Sequence, residues 1–340
     1  MRVAAACTLF FVTACFGVWW AASALSPAPV PTVSPLPAAA PAQAAIPPRV
    51  TEAATVATTP ALAAAAVVPE ARPSVAAPTP ACPGNLNALG VARVVEIDTT
   101  GGPGFGFEHF KIHDFLRPKE VLLTFDDGPW QNNTPAVLKA LADHCTKAAF
   151  FPIGKHALFY PEILKQVAAQ GHTIGSHTWS HANLSKKSAA EAKAEIEKGV
   201  SAVRLALGAA AAPFFRFPAL THPPELVTYL GERNIAIFST DLDSFDFKMR
   251  KSEQLIQSVM NKLQKHGKGI VLMHDFQQVT ATAVPELLNQ LKAEGYRVVH
   301  VRPKDPAQTL PEYDALIAKE QKLPTVSEHS TTAVVRTVSE

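Results

Sequence analysis

From residue 119 to residue 302, short apolar runs alternate with stretches of helical periodicity, and this alternation constrains the chain more than any other feature. Val121-Leu122-Leu123-Thr124-Phe125 is apolar enough for a strand covered on both faces, and Thr134-Pro135 opens an amphipathic helix to His144. Further strands are predicted at 148–153, 172–176, 214–217, 235–239, 270–273 and 298–301. Helices are predicted at 161–170 (stopped by Gly171), 186–207, 224–232, 252–265 and 282–294. Strand–helix units at this spacing build a parallel α/β sheet, and about seven of them close, or nearly close, an irregular, distorted β/α barrel. In that architecture the chemistry belongs on the loops that follow the strands.

The first quarter of the chain has a different character. Met1-Arg2, an apolar stretch to residue 22 and Ala22-Ser23-Ala24 together predict a secretory signal over 1–24, cut after Ala24. The run is also long enough to span a bilayer, so a retained membrane anchor is the alternative. Val12-Thr13-Ala14-Cys15 resembles a lipoprotein cleavage box, against which stand the apolar residues 16–20. No aromatic residue occurs between Trp20 and Phe105, and many of the 29 prolines fall in that interval. Residues 25–83 therefore have little to pack and predict a disordered Ala/Pro-rich tether holding the domain off a membrane. An N-terminal arm at 84–118 then leads into a catalytic domain at 119–303. A polar tail follows at 304–340, with one helix at 310–321 and disorder at 327–340. Basic and acidic residues number 31 and 29, a formal net charge of +2, and nothing in that balance suggests a nucleic-acid binder, which would need a concentrated basic face. Cys82 and Cys145, an even pair in an exported chain, are a disulfide candidate; the alternative is two unlinked thiols, with Cys145 a buried filler.

Candidate reactive residues do follow the strands. Asp126 and Asp127 end the first one, in Thr124-Phe125-Asp126-Asp127-Gly128-Pro129, where adjacent carboxylates are costly unless they bind a cation or divide their roles. His177 and His181, four apart, would share one face of a helical turn, and with a carboxylate they make an open three-ligand metal site. Arg216-Phe217-Pro218, residues 243–247 and Leu272-Met273-His274-Asp275 end the next three strands. No Gly-x-Ser-x-Gly elbow points to a Ser-His-Asp hydrolase.

In this order the five segments resemble the motifs of the polysaccharide deacetylases, the family-four carbohydrate esterases that share the nodulation-type chitooligosaccharide deacetylase domain. The resemblance covers roughly residues 119–303. It implies a metal-dependent hydrolase removing N-acetyl groups from N-acetylglucosamine-containing glycans, whether peptidoglycan, chitin oligomers or exopolysaccharide. It further implies a divalent metal on Asp127, His177 and His181, zinc foremost, with cobalt or nickel serving in relatives. Asp126 would be the general base, His274 the acid that protonates the departing amine, and Arg216 the group that orients Asp126. Asp246 would pair with Arg216 or tune His274. Pro218, Trp179 and Leu272 would contact substrate. Ala219 stands where relatives commonly carry an aromatic residue, and Phe247 replaces a usual Trp, so the groove is altered while proton carriers and ligands are kept. The implied partner is an N-acetylated glycan in the periplasm or cell envelope, with no nucleic acid and no inferable protein partner. An inactive carbohydrate-binding protein on the same scaffold and a metal amidase for non-sugar amides are the competing readings.

Overall fold

The computed structural model describes residues 82–321; the expected leader, the tether up to residue 81 and the tail beyond residue 321 lie outside them. The strands are β1 (Arg93–Ile97), β2 (Gly104–Phe105), β3 (Glu120–Asp126), β4 (Ala149–Phe151), β5 (Thr173–Ile174), β6 (Phe214–Phe215), β7 (Ala236–Phe238), β8 (Leu242–Asp243), β9 (Gly269–His274) and β10 (Arg297–Pro303). The helices are α1 (Asn133–Asp143), α2 (Gly154–Phe159), α3 (Pro161–Ala169), α4 (Ala189–Leu207), α5 (Pro224–Glu232), α6 (Ser252–His266), α7 (Gln278–Ala293) and α8 (Pro311–Gln321). Every strand pairing is parallel, as βαβ units require. One sheet runs β1-β10-β3-β4-β5, with β9 also on β3 and β8 on β9; a second runs β2-β7-β6. A bridge between Ser176 and Phe215 joins them, and the whole wraps into a distorted barrel.

Alternation along β3 and β9 explains why both strands read as continuous apolar runs. Val121, Leu123 and Phe125 of β3, with Val271 and Met273 of β9, face the helical layer, where Val137, Leu141, Val259 and Leu287 meet them. Leu122 and Ile270 face inward, against Phe151, Phe214 and Phe238. Side chains two residues apart share a face, so Thr124 and Asp126 extend the inward row of β3, and Leu272 and His274 that of β9. The register sets Leu122 beside Ile270, Thr124 beside Leu272, and Asp126 beside His274.

The arm is part of the sheet. β1 pairs with β10 and β2 with β7, and Ile97 and Phe105 are buried with the inward residues. Cys82 and Cys145 are joined by a disulfide, so the start of the arm is fastened just past the end of α1. Two local expectations need correction. The short α2 was not anticipated; it is six residues long and separated from α3 by Tyr160 before Pro161. α7 begins at Gln278 and carries Pro285 within it, where the sequence suggested a start at 282. Thr280 anchors the added turn by donating to Asp246 Oδ2 at 2.6 Å.

Candidate active site

Asp126 and His274 meet at the ends of neighbouring strands, and each is tied from behind to an ion of opposite sign. Arg216, fully buried, donates from Nη1 to Asp126 Oδ1 at 2.7 Å and to Thr124 Oγ1 at 2.8 Å. Its Nε and Nη2 donate to the carbonyls of Phe238 and Ser239, and its guanidinium lies 4.4 Å from the Phe151 ring centroid. Every edge of the fork is used, which is how a buried arginine avoids the cost of an unpaired charge. On the other side His274 Nδ1 donates to Asp246 Oδ1 at 2.6 Å, while Asp246 Oδ2 accepts from the His274 backbone N–H at 2.7 Å. Burial alone would lower the His274 pKa, but the bond and charge of Asp246 outweigh it and push it up to about 9. Of the two partners open to Asp246, the structure thus selects His274.

Asp127 has a φ of 72°, a left-handed conformation that an L-residue adopts only under constraint. Its carbonyl accepts from His156 Nδ1 at 2.6 Å. His177 and His181 reach it from the loop after β5. This loop is not the helical turn that their spacing suggested: Thr178 and His181 have φ of 67° and 57°. The turn is held from α4, where Glu195 accepts from the Ser180 N–H and hydroxyl and the Glu195 carbonyl from the Trp179 N–H. Gly199 permits the approach, since a Cβ there would lie 2.6 Å from the Thr178 carbonyl carbon.

The ligand atoms of Asp127, His177 and His181 all lie within 4.8 Å of one another. His177 Nδ1–H donates to the Arg216 carbonyl at 2.7 Å, which leaves the Nε2 lone pair directed at Asp127 Oδ1, 3.5 Å away. His181 Nε2 stands 3.6 Å from the same oxygen, and that buried oxygen accepts no hydrogen bond. Burial pushes the Asp127 carboxyl pKa up and both imidazole pKa values down. Three converging lone pairs without a donor fit a divalent cation, and oxygen plus two imidazoles is a donor set for zinc or a neighbouring transition metal.

Among the expected substrate contacts, Leu272 is buried on β9 one inward position below His274. Pro218 is buried and opens a short turn whose next residue, exposed Ala219, has φ 52°. The Trp179 ring packs on Gly154 of α2, with the Lys155 ammonium 5.7 Å from its centroid. Three further residues flank the site that the motifs alone did not single out. Phe276 stands edge-on to His274 at 6.1 Å, and partly exposed Trp130 edge-on to Phe276 at 6.4 Å. Asp275, directly after His274, accepts from the Gly128 N–H at 3.0 Å and the Thr134 hydroxyl at 2.5 Å; burial pushes its carboxyl up to about 7. Its place in Leu272-Met273-His274-Asp275 was the available signal. On the opposite flank exposed Phe247 stands edge-on to His274 at 5.7 Å.

At its strand ends this parallel barrel brings together two carboxylates, a carboxylate-held imidazole and a histidine pair, a group able to hold a metal ion. The family model for polysaccharide deacetylases matches residues 115–236. A peptidoglycan-N-acetylglucosamine deacetylase of Listeria monocytogenes is 33% identical over 186 residues, covering 54% of this chain and 38% of that protein. A chitooligosaccharide deacetylase of Azorhizobium caulinodans is 30% identical over 155 residues, covering 46% of this chain and 73% of that protein. The solved structure of a peptidoglycan deacetylase of Bdellovibrio bacteriovorus matches with TM-score 0.58 and 36% identity, over 63% of this chain and 59% of that one. The chain belongs to the polysaccharide deacetylase family, and it spans little more than a third of the Listeria relative.

Proposed function

We propose that the chain is an exported, metal-dependent N-deacetylase that hydrolyses the acetamide groups of N-acetylglucosamine-containing glycans of the cell envelope. One observation carries this reading: the Asp126–Arg216 and His274–Asp246 pairs stand on either side of the Asp127, His177 and His181 cluster. Asp127, His177 and His181 would hold the cation, zinc first, with cobalt or nickel as substitutes. A divalent cation bound there would polarise a carbonyl and lower the pKa of water towards about 7.

The chain's own residues then divide the proton work. Arg216 occupies Asp126 Oδ1 and orients the carboxylate, leaving Oδ2 to take a proton from the attacking water. Asp246 fixes His274 with its proton on Nδ1 and holds it as imidazolium, so that Nε2–H can be given to the departing nitrogen. That donation is required because an amide nitrogen does not leave as an anion. Water adds oxygen to the acetyl carbon, the C–N bond breaks, and acetate and a free amine are the products. Leu272 and Pro218 would shape the floor and wall, and exposed Phe247 and Trp130 offer rings for stacking on sugars. The names of the relatives favour peptidoglycan first and chitooligosaccharides second. The disulfide supports an oxidising compartment and therefore export.

The test is acetate release from peptidoglycan fragments and chitin oligomers by purified protein, with and without zinc or cobalt, beside Asp126→Asn and His274→Ala. Metal-dependent release abolished in both variants is the expected result, and the preferred glycan names the substrate. Zinc bound with no release on either glycan would overturn the glycan assignment and favour a carbohydrate-binding role or a non-sugar amide.

A further inference from the structure

The loops that hold the acid pair continue into a second concavity beside it. Asp246 follows β8 and His274 ends β9, and the segments just beyond them, 249–253 and 277–282, wall a cavity of about 500 Å³. Both walls are fixed to the pair. The Met249 N–H donates to the Asp246 carbonyl at 2.9 Å, and the Gln277 N–H to the His274 carbonyl at 3.1 Å. The cavity therefore lies at the catalytic end of the barrel, next to the group that protonates the departing nitrogen.

Its charge is mainly of one sign. Arg250 and Lys251, both exposed, stand on one wall. Exposed Lys248 precedes them, its ammonium 5.3 Å from the centroid of Phe247, the ring that flanks His274. Among the described residues none of these three cations belongs to an ion pair. Lys262, by contrast, is already committed to the Asp243 carbonyl. Glu253 is the one acid on the lining, so the cavity keeps a positive local field that the fold itself does not use. Gln277 and Gln278 add amide donors and acceptors, and Met249 and Val279 add apolar contact.

We propose that this cavity is a substrate-selecting subsite, taking the acidic substituent of the sugar that adjoins the one deacetylated, a short carboxylate-bearing peptide being the fit. The proposal rests on the deacetylase reading and specifies it: the preferred glycan carries carboxylates, and a neutral N-acetylglucosamine homopolymer leaves the subsite unused. About 500 Å³ is the size of a small-molecule site and exceeds what a lone carboxylate needs, so the arm enters together with its acid. The planar fork of Arg250 suits a carboxylate bidentately, and Lys251 adds a point charge. The glutamines match the peptide's amides. Because the cations line a concavity against the acid pair and not a flat face, they read substrate and not an anionic membrane.

The experiment measures acetate release by the full chain with zinc from a peptidoglycan disaccharide carrying its short peptide, with the carboxyl groups free or converted to methyl amides. The sugars are the same in both, so the comparison isolates charge. The free acid should show a kcat/KM about tenfold higher at low salt, an advantage carried by KM that shrinks in about 0.5 M sodium chloride. Arg250→Glu with Lys251→Glu should cut the advantage to twofold or less by raising KM for the acid form, whereas Arg250→Lys with Lys251→Arg should keep most of it. Equal kcat/KM for the two forms in the parent, or an undiminished advantage in the charge-reversed protein, would overturn the proposal. Calorimetric binding of both forms reads the subsite even where no acetate is released, which separates its failure from that of the deacetylase reading. Equal binding of acid and amide would overturn it there as well. A charge-reversed protein that loses only its binding to phosphatidylglycerol vesicles would give the cations to a membrane surface instead.

Discussion

The pair most open to quantitative attack is His274–Asp246. The imidazole stands at about 9, against an ordinary 6.5, although its burial works in the opposite direction. At about 1.4 kcal/mol per pKa unit, holding that proton is worth about 3 kcal/mol. Asp246→Asn keeps the shape and removes the charge, so burial acts with far less opposition and the His274 pKa should fall to 6.5 or below. At pH 8 the protonated fraction then drops from roughly 90% to about 3%, a loss of about thirtyfold in kcat/KM; at pH 6 roughly three-quarters of the acid form survives and the loss is less than about twofold. The assay is the pH profile of acetate release for both proteins, joined to an NMR titration of His274 in metal-free protein. The same pair predicts a stability trend. Because the folded pKa is raised, the stabilisation is fully present below pH 6.5 and is lost as pH rises through about 9. Urea midpoints of the metal-free parent should fall across that window, and those of the variant should stay level. An equal loss of activity at pH 6 and pH 8, or an unmoved His274 titration, would refute the assignment of Asp246 as the group that keeps the acid charged.

Other perturbations bear on the remaining parts of the site. His177→Ala should weaken zinc binding at least a hundredfold by calorimetry and remove the stabilisation that zinc at 100 times Kd gives the parent, about 2.7 kcal/mol. Arg216→Lys cannot reproduce four bonds from one fork and leaves the Phe238 or Ser239 carbonyl without its donor; urea denaturation should show a loss of about 3 kcal/mol, with activity falling as well. Replacing Cys82 and Cys145 by serine opens a link across 63 residues and should cost up to about 4 kcal/mol in the same experiment, with acetate release unchanged below the new transition.

How much of this was legible in the sequence depended on whether the signal was local. β3 and β9 are apolar on both faces, so they could be read as buried strands, and the residues after them as candidates for chemistry. The distorted parallel barrel followed from counting such units, and the matched relatives share it. What stayed hidden was pairing across the sheet. Nothing local tells that Asp126 and His274 are neighbours in register, or which of two partners Asp246 takes. The spacing of His177 and His181 brought them together on paper for the wrong reason, through a helical turn. The chain instead uses two left-handed residues, held by Glu195 and permitted by Gly199 far along the sequence.

The first strand of the domain is hydrogen-bonded to the last: Arg93 lies beside Val299 and Ile97 beside Pro303. As the chain is synthesised, residues 93–97 must therefore wait for nearly everything else before they find their place. Until β10 arrives, Ile97 and Phe105 lack the valines at 299 and 301 that are buried with them. Contacts this distant in sequence slow folding, since the long loop must close before any reward is gained. A version cut before β10 leaves this inward face without the valines at 299 and 301, and the segment 115–236 cut out alone would lose β9 and β10 as well as His274 and Asp246. The fold is complete only when its first and last strands are joined.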